Sequence, residues 1–515
     1  MAAPGRPDAS WRGTPAIAIA ATGAALTTLY AVATAHILLP DFFPSAGASV
    51  DWITMLGPGR RAPAVAYLAV VGASLALYGI AVVVGWRHVG RGPRVLLFGF
   101  PVLFAVALLL MYPPTAVDLF HYHADARTLW VFGENPLIVP PSRTDYPIGI
   151  SWANDPSPYG PGWSLLTVPL APLMAFGDHQ LATLIAFKAL GAASYLGCGW
   201  LVYRIVRRTR PGWELFAFVL FAWNPFVVLR AVGNGHNDLA MMFFALLALD
   251  RAERRDWSLA LPLIALSVLI KYTTALLVPP LLLFAWWQSE GSPSARIRAL
   301  APGLGLAVLT TVICYAPFWA GAATFDALRA EGAKMITSTA ELVRQLLIER
   351  GAGEGTATAL ARDGTRALFV LIAIPIAWHA RRGFDPLLAA GFTLLFLYLV
   401  IASAWFRPWY ILWPATLLAL RPARWTVALF VTLTFANAFP DLIEHYRYDW
   451  GLSGQYAPRL APLAAQFALP LLVWLAALWR FRGVDLDAAP PPAASAERRT
   501  GVGLAGEARP QEPGA

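Results

Sequence analysis

The sequence predicts an all-α fold: a polytopic membrane bundle of helices. The chain of 515 residues is 58% hydrophobic and only 13% charged, about half the charge of a soluble domain. Its mean hydropathy is +0.56. Apolar runs of near-spanning length recur along it, separated by short Arg-rich loops. The implied partner is the lipid bilayer. The net charge of +9 does not point to nucleic acid, because the basic residues lie in those short loops. Cys198 and Cys314 sit within apolar runs and read as small core residues, not as a disulfide or metal site.

Taken in order, residues 1–14 read as a cytoplasmic N-terminal tail. Residues 15–39 are too long for a signal-peptide core and fit a first spanning helix. Further candidates lie at 63–86, 94–112, 180–203, 214–231, 238–250, 257–270, 272–288, 300–319, 366–380, 386–404, 409–420, 424–438 and 460–479. Together they suggest roughly 12–14 helices in a membrane domain over 15–482. Residues 163–176 are apolar but broken by Pro169 and Pro172, and read as a re-entrant or interfacial helix. Residues 113–162 and 320–365 read as large extracytoplasmic loops, the first catalytic. Residues 483–515, rich in Ala, Pro, Glu and Arg, read as a disordered cytoplasmic tail.

Orientation follows from arginine. Arg87, Arg91, Arg94, Arg204, Arg207, Arg208, Arg210, Arg251, Arg254, Arg255, Arg296, Arg298, Arg381, Arg382, Arg421, Arg424, Arg480 and Arg482 all fall on one side, which the positive-inside rule makes cytoplasmic. Both termini are then cytoplasmic and the protein is expected in the plasma membrane. The opposite face receives the polar and aromatic features. They sit at helix ends, as in an interfacial enzyme, whereas a transporter more often carries them near the midplane.

Asp118 opens the most informative of these features, Asp118-Leu119-Phe120-His121-Tyr122-His123-Ala124-Asp125. Acids and histidines at the mouth of a membrane bundle are costly unless they have a function. Transfer of a sugar from a phosphate needs one base to take the acceptor proton, and Asp118 at a helix end is the candidate. Asp125 lies near the same face if the segment is helical. The plainer alternatives are a helix cap and a solvated face. His121 and His123 could bind a phosphate or a metal, though a divalent cation lacks a clear third ligand, or simply hydrogen-bond; with Tyr122 they are candidate substrate contacts. Asn135, in Gly133-Glu134-Asn135-Pro136-Leu137, and Tyr159, in Tyr159-Gly160-Pro161-Gly162-Trp163, lie in fixed turns whose aromatic faces suit sugar stacking or an interfacial belt.

In Gly233-Asn234-Gly235-His236-Asn237-Asp238, Asn237 or Asp238 would cap the next helix. The same helix end suits phosphate, with His236 and Asn237 as ligands and Asp238 as a candidate substrate contact. Lys271 lies between two apolar runs and either snorkels or neutralises phosphate. Arg407, in Trp405-Phe406-Arg407-Pro408-Trp409-Tyr410, offers bidentate phosphate recognition among aromatics, with Trp409 and Tyr410 beside the substrate. The run Glu444-His445-Tyr446-Arg447-Tyr448-Asp449-Trp450 is placed on the same face.

These features in this order resemble the GT-C glycosyltransferases, in particular the polyprenol-phosphate-mannose-dependent mannosyltransferases of actinobacteria, including the α-1,6-mannosyltransferases of lipoglycan synthesis. The resemblance spans roughly residues 90–480. It implies a GT-C bundle, an extracytoplasmic active site, a polyprenyl-phosphate sugar donor, a glycan or glycolipid acceptor, inversion, and Asp118 as base. His236, Asn237, Lys271 and Arg407 fall in segments matching the family's boxes. His121-Tyr122-His123 stands where many members carry an acidic pair or Tyr-Tyr, which leaves metal dependence and donor identity open. The expected activity is hexosyl transfer, with mannose foremost. A GT-C enzyme for glucose or arabinofuranose and a lipid-linked glycan transporter are the alternatives.

Overall fold

A computed structural model describes residues 13–43, 48–49, 51–53, 61–88, 93–144, 149–150, 152–177, 179–440 and 457–480. The run 444–450 placed on the active face lies outside the described residues. Among the described residues, the helices of eight residues or more are α1 Thr14–His36, α2 Arg61–Arg87, α3 Arg94–Leu108, α4 Asp118–Trp130, α5 Gln180–Thr209, α6 Glu214–Ala222, α7 Asp238–Glu253, α8 Trp257–Ile270, α9 Val278–Gln288, α10 Pro293–Tyr315, α11 Thr339–Glu349, α12 Glu354–His379, α13 Phe384–Leu397, α14 Leu412–Ala419, α15 Arg424–Ala436 and α16 Ala457–Arg480. Among the described residues, a parallel pair of two-residue strands, β1 Ala48–Ser49 and β2 Gly149–Ile150, joins two loops.

The chain is thus an all-α multi-pass membrane bundle. Among the described residues, five helical stretches are long and apolar enough to cross a membrane, six with the bent pair Glu214–Ala222 and Pro225–Gly233 counted as one span. That is fewer than the expected roughly 12–14, because many apolar runs are short or broken. The break after α6 has a local cause. Pro225 has no amide N–H to donate, Asn224 accepts from Val227 N at 3.2 Å instead, and the axis turns by 55°.

Two helices widen at their ends into i→i+5 turns, closed by Asn234 N to Leu229 O and Ser403 N to Tyr398 O, each 2.8 Å. Such turns cost regular bonding and are frequent at functional sites. Both lead here into the polar segments, 234–238 and 403–410. The stretch 163–176 holds only short helical turns. Residues 320–365, expected as a loop, are largely helical. They hold a turn at Asp326–Glu331, α11 (capped by Ser338 on Glu341 N at 3.1 Å) and the start of α12.

The core runs through the middle of the bundle, with Trp223, Trp413, Tyr78 and Tyr195 fully buried. Their polar tips are satisfied: Tyr78 Oη donates to Leu220 O at 2.7 Å and Trp223 Nε1 to Leu97 O at 3.0 Å. The arginine-rich ends gather on each other. Arg208 reaches Asp250 at 2.6 Å and Glu253 at 2.8 Å, and Arg210 pairs with Asp385.

Candidate active site

Asp118 is the first residue of α4, where a carboxylate is favoured by the exposed amides and the helix dipole. Its Oδ1 accepts from Tyr159 Oη at 3.3 Å and lies 3.9 Å from His236 Nδ1. Tyr159 reaches it because Gly160 packs on the end of α8. Gly160 N donates to Ile270 O at 3.2 Å, and a Cβ on Gly160 would stand 2.0 Å from Leu269 O. The same packing sets Tyr159 beside Lys271, whose Nζ lies 5.8 Å from the tyrosine ring.

Two adjoining cavities meet at this point. One of about 750 Å³ is lined by Asp118, His121, Asp125, Trp152, Arg407 and Trp409, among others. The second, about 1070 Å³, is lined by Lys271, Tyr272, Arg366, Tyr398 and Trp413, among others. Tyr159, Tyr410, Trp405 and Glu331 border both. Across the mouth of the first, Lys334 bonds Asp155 at 2.9 Å and Glu331 at 3.0 Å and sits 5.1 Å from the ring centre of Trp405 and 5.7 Å from that of Trp152.

The electrostatics follow from burial. Burial pushes the Asp118 carboxyl up to about 6; Lys271, Arg407 and the Tyr159 hydroxyl pull down and Asp238 pushes up. Asp118 is therefore mostly ionised at pH 7 and close enough to neutrality to take and return a proton. Asp125 follows seven residues on and lines the same cavity. Burial pushes it up to about 7, opposed by the neighbouring Ser157 hydroxyl. His236 is buried and stacked on Trp409 at 4.2 Å. Burial first, then Arg230 and Lys271, hold its pKa well below the ordinary histidine value, so the ring is neutral.

Asp238, fully buried, is the partner of Lys271. Its Oδ1 accepts from Lys271 Nζ at 2.7 Å and from Trp413 Nε1 at 2.6 Å. Lys271 lies under aromatic rings, 4.9 Å from the centre of Tyr410 and 5.3 Å from that of Trp413. Arg407 lies on the other side of Tyr159 and Tyr410, 5.4 Å from the Trp405 ring centre.

Other expected site residues stand apart from the cavities. Tyr122 is buried among Tyr159, Trp163 and Phe187, and its hydroxyl accepts from Asn237 N at 3.4 Å. His123 is fully buried and lines neither cavity. Asn135 spends its side chain on Phe318 O at 2.8 Å and Leu137 N at 3.0 Å. The side-chain amide of Asn237 is buried, with no hydrogen-bond partner among the described residues. Also among the described residues, no three His, Cys, Asp or Glu side chains group as a metal site.

Sequence reasoning passed over Trp152, Glu331, Lys334 and Arg366 on the cavity walls, and Lys188, Arg230 and Thr115 beneath them. Trp152 has a signal in its backbone alone: its φ of 59° is rare for a bulky residue and marks a constrained turn. The others lie in runs that read as plain helix or loop.

A multi-pass helical bundle whose polar site holds a half-buried carboxylate near two cations defines the class: an α-helical membrane protein with a charged site at its helix ends. The chain belongs to the family described as "Alpha-(1->6)-mannopyranosyltransferase, N-terminal domain", whose model matches residues 17–288, more than half of its length. It is 26% identical over 173 residues to "Alpha-(1->6)-mannopyranosyltransferase B" of Corynebacterium glutamicum, covering 31% of this chain and 28% of the relative. It is 25% identical over 196 residues to "Alpha-(1->6)-mannopyranosyltransferase A" of the same organism, covering 34% and 37%. A third relative, "GPI mannosyltransferase 1" of Trypanosoma brucei brucei, is 28% identical over 144 residues, covering 25% and 33%. The matches thus span about a third of these relatives' lengths.

Proposed function

We propose that this chain is a plasma-membrane mannosyltransferase that moves mannose from a polyprenyl phosphate to a cell-envelope glycan or glycolipid, with inversion at the anomeric carbon. One observation carries the reading: Asp118, a half-buried carboxylate that burial pushes up to about 6, lines the first cavity with Arg407 and accepts from Tyr159, which borders the second cavity and Lys271.

The donor occupies the second cavity, with its phosphate toward Lys271, and the acceptor hydroxyl enters the first. Asp118 removes the hydroxyl proton as that oxygen forms its bond to the anomeric carbon. The bond from the anomeric carbon to the phosphate oxygen breaks, and its electron pair leaves on polyprenyl phosphate. Lys271 and Arg407 stabilise the growing charge on that phosphate from either side of the tyrosine wall, and the buried site strengthens both interactions. His236, neutral and stacked on Trp409, fixes the ring beside the base and supplies no charge to phosphate. Asp238 holds Lys271 in place. The arginine-rich ends face the cytoplasm and the site faces the opposite side, by the positive-inside rule.

The test is transfer by the full-length protein in nanodiscs, from polyprenyl-phosphate mannose to a mannan acceptor. Asp118→Asn should lower kcat by about 10²–10⁴-fold, the usual worth of a positioned base, while donor binding persists. A variant that transfers as well as the wild type would remove Asp118 from the role. Wild-type transfer from another polyprenyl-phosphate sugar but not from the mannose donor would reassign the substrate.

A further inference from the structure

Lys188 on α5 is fully buried, and among the described residues no carboxylate pairs with it. Its Nζ donates instead to two backbone carbonyls, that of Met111 and that of Gly233, the latter at 2.8 Å. Burying a polar lysine tip in an apolar helix is costly unless its donors are satisfied, and here two backbone carbonyls satisfy them. An apolar side chain would fill the same space more cheaply. The two carbonyls have distinct places. Met111 begins the strap that ends at Asp118, and Gly233 closes the wide turn that leads to His236.

Other bonds run between the same two segments. Thr115 N donates to Asn234 Oδ1 at 3.1 Å, and Asn234 Nδ2 donates to Thr115 Oγ1 at 2.8 Å. Arg230 donates to the same hydroxyl. Asn237 N reaches Tyr122 Oη at 3.4 Å, one turn along from Asp118. The strap and the turn thus meet through this set of polar contacts and the packing of Leu119 on Gly235, where a Cβ would come within 3.0 Å. Lys188 reaches in from a third element and binds both at once.

We propose that Lys188 is a positioning residue: its Nζ staples the strap carrying Asp118 to the turn carrying His236, and so sets the acid–imidazole geometry in which the base works. The proposal rests on Asp118 being the base. It assigns Lys188 no contact with substrate.

The test compares Lys188→Met and Lys188→Gln in the full chain, in nanodiscs, with polyprenyl-phosphate mannose and a mannan acceptor. Lys188→Met keeps the volume and removes every donor; Lys188→Gln keeps an amide for one carbonyl. A displacement of about 1 Å at a reacting group can cost about 10²-fold, so kcat should fall by that order in Lys188→Met and by less in Lys188→Gln. Donor KM should stay unchanged. The acid limb of kcat/KM should move down from about 6 toward the ordinary carboxylate range as water enters around Asp118. The groups facing Asp118 and left in place are Tyr122, Tyr159, His236, Asp238, Lys271, Arg407 and Tyr410.

A lower melting temperature with wild-type kcat and an unmoved limb would overturn the proposal, as would failure of both variants to fold; either would make Lys188 purely architectural. Asp118→Asn is measured alongside. If that variant is fully active, the base assignment falls, and a kcat loss in Lys188→Met would still report the staple.

Discussion

Lys271→Met should move the acid limb of transfer to higher pH. Lys271 Nζ lies 5.8 Å from the ring centre of Tyr159, whose hydroxyl is 3.3 Å from Asp118. The two charges are therefore on the order of 6–8 Å apart, worth about 2–3 kcal/mol at an effective dielectric near 20. That is about 1.5–2 pH units. The sign is fixed by charge. Lys271 favours the ionised carboxylate, so removing it raises the pKa of Asp118, and Asp238, left without its cation, raises it further. Only the ionised form serves as base, so activity is lost as pH falls through the new value. With the wild-type limb near 6 and the variant's near 7.5, the ionised fraction at pH 6.5 drops roughly eightfold. The assay is kcat/KM for mannosyl transfer from pH 5 to 9, the limb being read apart from any uniform loss due to weaker phosphate binding. An unmoved limb, or one shifted to lower pH, would refute the electrostatic account of this site.

Two further predictions concern packing and burial. Gly160→Ala, with its Cβ 2.0 Å from Leu269 O, must displace the turn carrying Tyr159 and should cut transfer at least about tenfold; Gly353→Ala, where the added Cβ meets nothing, should not, and equal effects would dismiss the close approach. Burial pushes the Asp125 carboxyl up to about 7 in the folded protein, above its unfolded value, so its ionisation opposes folding increasingly as pH climbs from about 4 to 7, by up to roughly 4 kcal/mol. Asp125→Asn should therefore flatten the fall in melting temperature across that window, and an unchanged pH slope would show the carboxyl to be well hydrated.

Part of the site is legible in the linear sequence, for physical reasons. A charged or strongly polar residue inside a hydrocarbon-loving chain is conspicuous, and Asp118, Asp125, Tyr159, Lys271, Arg407, Trp409 and Tyr410 do line the two adjoining cavities. The same signal draws attention to His123 and Asn135, which line neither. Polarity in such a chain marks a need for partners, and a buried bond to a carbonyl meets that need as well as a ligand does. Lys188 is the converse case. It sits in a long apolar helix, and nothing local says that its Nζ ends on two carbonyls from distant segments.

The sequence by itself determined the class of solvent the protein lives in, its helical secondary structure and its family, because each is encoded locally: hydropathy over a span, helix breaks at Pro and Gly, and short motifs in order. Tertiary structure alone decided which polar groups share a cavity. Asp118 meets Tyr159 across 41 residues, and Lys271 meets Asp238 across 33. It also decided that Asp238 serves Lys271, that His236 is neutral, and that 320–365 is largely helical. These outcomes depend on desolvation and on distances between segments far apart in the chain. A linear pattern holds neither quantity until the bundle closes.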